Sequence, residues 1–112
     1  MGILNFKMIK LKEYIVIPAY NEEKSVGKVI DDLRKSGFEN IIVVNDGSTD
    51  NTFGVAKNKK VKIYSHIINR GLGGALNTGI SAALKNNADI IATCDADGQH
   101  NPKDIKKAID FL

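Results

Sequence analysis

The sequence predicts an α/β fold, a mainly parallel sheet with helices packed on both faces. Strand-like and helix-like stretches alternate four times along the 112 residues. The strand-like runs are apolar throughout, as strands buried on both faces must be. The length suits one domain, which can bury roughly two-thirds of its unfolded surface.

Each element has its own signal. Tyr14-Ile15-Val16-Ile17 is a β-branched run ended by Pro18. Val26, Val29, Ile30 and Leu33 then recur at helical spacing, with Glu22 and Glu23 in the first turn and Gly37 just past the end. Ile41-Ile42-Val43-Val44 is the second strand. Asp46-Gly47-Ser48-Thr49-Asp50 is turn chemistry, and Thr49 or Asp50 caps a short helix through Lys57. Val61 to His66 forms the third strand. Leu72, Leu76, Ile80, Ala83 and Leu84 make the apolar stripe of a third helix that ends near Asn86-Asn87. Asp89 to Cys94 is the fourth strand. Pro102 opens a fourth helix with Ile105, Ala108, Ile109 and Leu112 on one face. Crossovers are expected to be right-handed. Residues 1–12 read as an extension and lead-in, and Met8 offers an alternative start. Residues 13–112 read as the domain. The last helix has no capping glycine and stops in mid-pattern, as a chain cut short would.

Composition excludes several classes. No apolar run approaches the ~20 residues of a membrane span, and no signal peptide is evident at the start. A net charge of +3 is too mild to imply nucleic acid. The cluster Lys57, Lys59, Lys60 and Lys62 has no interleaved aromatics for base stacking and reads as a solvated face. Cys94 is the single cysteine, so there is no intrachain disulfide, and its apolar surroundings mark it as core. A cytoplasmic protein is expected, or one resting on the cytosolic face of a membrane.

The chemistry gathers where parallel α/β sheets bind ligands, beyond the carboxyl ends of the strands. Four loops fall there: Pro18-Ala19-Tyr20-Asn21-Glu22, Asn45-Asp46-Gly47-Ser48, Asn69-Arg70-Gly71-Leu72-Gly73-Gly74, and Asp95 through Gln99. In extended geometry Asp95 and Asp97 point to the same side. Two carboxylates ~7 Å apart repel by about 2 kcal/mol at an effective dielectric near 20. A cation would relieve that repulsion, and hard oxygen ligands favour Mg²⁺ or Mn²⁺ carrying diphosphate oxygens. Taken alone, the pair is equally a solvated acidic turn. The glycines at 71, 73 and 74 let backbone approach an anion at a helix N-terminus. They match neither the dinucleotide fingerprint nor a P-loop. Arg70 either forks onto a phosphate or is a surface residue. Asp46 either binds a base or ribose, or simply forms a turn. Tyr20 either stacks on a base or packs. His66 and His100 lack ligand partners at useful spacing, and no Ser/His/Asp triad is present.

In order and spacing these segments resemble the family 2 inverting glycosyltransferases of the Rossmann-like GT-A fold, and most of all the polyprenyl- and dolichyl-phosphate sugar transferases. The resemblance rests on Val16 to Glu23, Val43 to Asp50, Asn69 to Gly79 and Asp95 to His100, and spans Glu13 to Pro102. It implies a UDP- or GDP-sugar donor and a polyprenyl-phosphate acceptor. Pro18, Ala19, Tyr20 and Glu22 would line the nucleotide pocket, and Asp46 would pair with the base. Arg70 and Gly71 would face the phosphates. Asp95 and Asp97 would be the Asp-x-Asp pair, with Asp97 the direct metal ligand and Gln99 facing the metal-diphosphate. The reaction implied is a single displacement with inversion at the anomeric carbon. Asn45 stands where many members carry a first Asp. The acceptor half and any catalytic base would lie beyond Leu112, so no catalytic residue is assigned. The alternative is a non-catalytic nucleotide-sugar-binding or regulatory module, associating with a full-length enzyme or with itself through an uncovered edge. A sugar nucleotidyltransferase would need a Gly-rich basic loop after the first strand, and Pro18 to Glu23 is not one.

Overall fold

The computed structural model describes residues 10–99 and 101–111. Most of the N-terminal extension with Met8, together with His100 and Leu112, lies outside the described residues. Four strands and four helices alternate: β1 Glu13–Ala19, α1 Val26–Lys35, β2 Ile41–Asp46, α2 Thr52–Asn58, β3 Lys62–His66, α3 Gly71–Lys85, β4 Ile90–Thr93 and α4 Pro102–Phe111. The strands form one sheet in the order β3-β2-β1-β4, with every pair parallel. The expected α/β architecture is therefore what forms.

Strand pleating divides the core in two. Ile15, Ile17, Ile41 and Val43 point to one face and pack with Val26, Ile30 and Leu33 of α1, Ala56 of α2 and Ile109 of α4. Burying each large aliphatic side chain there contributes about 1.5–3 kcal/mol relative to leaving it in water. Tyr14, Val16, Ile42 and Val44 point to the other face, which α3 covers through Ala75, Ala82 and Ala83. The leucine stripe expected of α3 is thus not its buried face: Leu72 and Leu84 are 63% and 59% exposed. Small residues take that position because the helix lies close to the sheet. A Cβ on Gly79 would overlap Val16 Cγ1 and come 3.2 Å from Val44 Cγ2. Likewise in α4 Ile109 is buried and Ile105 half-buried, but Ala108 is exposed.

Two strand ends differ from expectation. β1 does not stop at Pro18, which pairs in register with Val44. The Val16 carbonyl accepts the Cys94 N–H at 3.0 Å, so even-numbered residues of β1 present their backbone polar groups toward β4. The imide nitrogen of Pro18 faces the same way, and β4 pairs with β1 only as far as Val16↔Thr93. No ladder bond is therefore lost there. β4 ends at Thr93, so Asp95 and Asp97 lie in the following turn, not on an extended strand. Cys94 points inward and is 1% exposed. Burial, with the charges of Asp95 and Asp97, raises its thiol to about 11, as befits an inert core residue.

Candidate functional site

The connection from β3 to β4 reverses the direction in which strands are added. That makes β1 the switch strand, and its carboxyl end is where such sheets bind ligands. The four loops expected at this edge are there, and side chains tie them together.

Asn21 joins the first two loops. It holds a left-handed backbone, φ +52°, which Asn tolerates better than most residues. Its Oδ1 accepts the N–H of Thr49 at 2.8 Å and of Asp50 at 3.4 Å, and its own N–H donates to Ser48 Oγ at 3.0 Å. The Glu22 N–H donates to Thr52 Oγ1 at 2.9 Å, and the Asn51 N–H to Glu23 Oε2 at 3.1 Å. Glu22 and Glu23 serve this inter-loop lattice and lie in the turn before α1, whose first turn holds no acid. Asn51 occupies the N-cap of α2 without a side-chain cap bond; Asp50 instead accepts the Thr52 N–H at 2.9 Å. The Ser25 hydroxyl is 2.7 Å from the Ala96 carbonyl oxygen and 3.0 Å from Glu22 Oε2, joining the first loop to the fourth.

Asp46 joins the second loop to the third. Its Oδ1 accepts the Arg70 N–H at 2.8 Å and lies 2.7 Å from His66 Nδ1. The far side of the ring, Nε2, lies 2.8 Å from Thr78 Oγ1 on α3. Burial pushes the Asp46 carboxyl up, but hydrogen bonds from the Arg70 N–H, His66 and the Gly71 N–H outweigh it and hold the group below the usual carboxylate value. Gly47, φ +71°, permits the same junction: a Cβ there would sit 2.5 Å from the Asn69 nitrogen.

The third loop is open. Arg70 is exposed, and a Cβ on Gly71 or Gly73 would meet nothing within 4 Å. Tyr20 is 46% exposed. Pro18 and Glu22 are half-buried, while Ala19 is buried. Asp97 and Gln99 are exposed, Asp95 is half-buried, and the Gln99 N–H donates to Asp97 Oδ1 at 3.0 Å. Among the described residues no group of three or more His, Cys, Asp or Glu is disposed to hold a metal ion. A pair of carboxylates fits Mg²⁺ or Mn²⁺, which keep waters and take phosphate oxygens, and does not fit a closed zinc site. A concavity of about 240 Å³ lies beside Asp97, between Lys24, Lys28 and Pro102. A larger one of about 810 Å³, bordered by Lys12, Phe38 and Ile90, lies at the amino ends of the strands, opposite the edge where such sheets bind ligands.

Of the residues singled out in the sequence, Asp46 is enclosed, at 3% exposure. Asn21, Ser25, His66 and Thr78 were not singled out as site residues. His66 is the register partner of Asp46 on the neighbouring strand, a relation that appears only once the strands are paired.

Comparison with known proteins points one way. The profile of glycosyl transferase family 2 matches residues 14–112. The UDP-N-acetylglucosamine–dolichyl-phosphate N-acetylglucosaminyltransferase of Methanococcus voltae is 43% identical over 113 residues, covering 86% of this chain and 45% of that protein. The undecaprenyl-phosphate mannosyltransferase of Micrococcus luteus is 33% identical, covering 87% of this chain and 42% of that protein. The crystal structure of Mycobacterium tuberculosis glucosyl-3-phosphoglycerate synthase with Mn²⁺, UDP-glucose and phosphoglyceric acid superposes with a TM-score of 0.68 at 26% identity, over 85% of this chain and 36% of that one. The chain spans less than half the length of these relatives.

Proposed function

Because the chain belongs to glycosyl transferase family 2, we propose that it binds a nucleoside-diphosphate sugar with a divalent cation, for inverting transfer of the sugar to an acceptor such as a polyprenyl phosphate. The observation that carries this reading is the tied carboxyl edge, where hydrogen bonds join four loops, with Asp46 in one and Asp95 and Asp97 in another. Tyr20 offers an exposed ring on which a base can stack, beside Pro18, Ala19 and Glu22. Asp46 accepts from the base. Arg70 and the N-terminus of α3 at Gly71 receive phosphate oxygens. Asp97 and Asp95 hold the cation, with Gln99 alongside. A cation there offsets the charge that develops on the departing diphosphate.

The relatives support the ligand classes. Two are named for dolichyl and undecaprenyl phosphate, and the structural neighbour holds Mn²⁺ and UDP-glucose. No helix among the described residues is long and apolar enough to cross a membrane. A lipid-phosphate acceptor would be met at the cytosolic face of a membrane. A phosphate acceptor is already anionic and needs little help from a general base.

Titration calorimetry with UDP and GDP, each in Mn²⁺, Mg²⁺ or EDTA, tests the proposal. One nucleotide should bind with a cation and lose that binding in EDTA. Absence of binding in every arm overturns it.

A further inference from the structure

His66 has no part in the roles assigned so far, yet it connects them. It and Asp46 are register partners at the ends of adjacent parallel strands, so both side chains leave the same face. The imidazole is only 6% exposed and the carboxylate 5%. An ionised carboxylate only accepts hydrogen bonds, so the 2.7 Å contact requires His66 Nδ1 to donate. In the neutral ring Nε2 is then the acceptor, and Thr78 Oγ1, 2.8 Å away, supplies its proton. Thr78 lies in the second turn of α3, the helix that Gly71 opens. Asp46 Oδ1 also accepts the Arg70 N–H just before that helix. One imidazole thus links the base-facing carboxylate, the phosphate-facing turn and the body of α3.

We propose that His66 is a positioning residue of the nucleotide site, holding Asp46 and the Arg70–Gly71 turn in fixed relation to α3 through Thr78. The inference rests on the donor-site reading above. If His66 is removed, Asp46 keeps its burial but loses a donor, and its carboxylate is free to leave the Arg70 N–H. Nucleotide affinity then falls although His66 does not touch the ligand.

Two substitutions separate positioning from mere support. His66→Asn places an amide NH₂ near the Nδ1 site and keeps a donor for Asp46. His66→Gln reaches the Nε2 site and abandons Asp46. Both shrink the same buried ring and should lower the melting temperature alike. In Mn²⁺, His66→Gln should weaken binding of the nucleotide that the unsubstituted chain prefers by about tenfold or more, as expected for a lost bond to a charged group. His66→Asn should stay within about threefold, on the same scale. Equal affinity of His66→Gln and the unsubstituted chain overturns the proposal. So do affinity losses that follow melting temperature whichever contact is kept. Ring ¹⁵N chemical shifts of the unsubstituted chain give a check independent of variant folding. The Nδ1–H tautomer is expected, and the Nε2–H tautomer overturns the proposal. If the unsubstituted chain binds neither UDP nor GDP, the donor-site reading fails and this inference with it. If it binds and His66→Gln binds equally, only the inference fails.

Discussion

Asp97 is exposed, and its Oδ1 accepts the Gln99 N–H. Asparagine can keep that bond and remove only the charge. Asp97→Asn should therefore abolish cation-dependent nucleotide binding in calorimetry. Its melting temperature should barely move, because surface changes of this kind stay within about 0.5 kcal/mol. Retained cation-dependent binding would remove Asp97 from the metal site. The acids at the end of β4 were legible in the sequence because an apolar run meeting carboxylates is a local pattern. The His66–Asp46 contact was not legible, because it depends on the register between β2 and β3. That register is fixed by packing across the sheet, not by spacing along the chain. The role of Asn21 was not legible for a related reason: its side chain works across 28 residues of sequence.

At the scale of elements, α3 shows where periodicity misleads. Its leucines follow helical spacing, yet the sheet receives Ala75, Gly79 and Ala82. Close approach selects small residues, and the bulkier ones flank the contact. Gly79→Ala should lift the helix against Val16 and Val44 and cost about 1–3 kcal/mol, the usual range for overpacking. A lower urea midpoint at unchanged slope would show it; an unchanged midpoint would mean that the helix tolerates the shift. The strands were easier to read, since β-branched runs buried on both faces have few alternatives. Helix starts were less so. The acids at 22 and 23 resemble a favourable first turn, but both of their N–H groups and the Glu23 carboxylate are engaged with the next loop.

At the scale of the molecule, ionisation at the loop junctions couples to overall stability. Asp46 and Asp50 are both pushed up by burial and pulled further down by hydrogen bonds, so both lie below the ordinary carboxylate value of 3.8. For Asp50 the opposing bonds come from the Thr52 hydroxyl and the N–H groups of Thr52 and Glu23. A carboxyl whose pKa falls on folding contributes stability that is complete above its unfolded value. That stability is lost as pH drops through the folded value. Urea midpoints should accordingly hold from pH 7 to 5 and decline below about pH 4. Asp46→Asn should shallow that decline, and an identical decline would exclude Asp46 as a contributor. The parallel, two-faced sheet could be foreseen from alternation. The order β3-β2-β1-β4 could not, because strand runs alone do not say on which side of β1 the fourth strand is added. Pro18 sits at the rim where β4 parts from β1. With no proton on its nitrogen it has no donor to offer β4, so one rung of any longer zipper between the two strands is missing. That missing rung belongs to the covalent structure of one residue, so it is present before any ligand arrives.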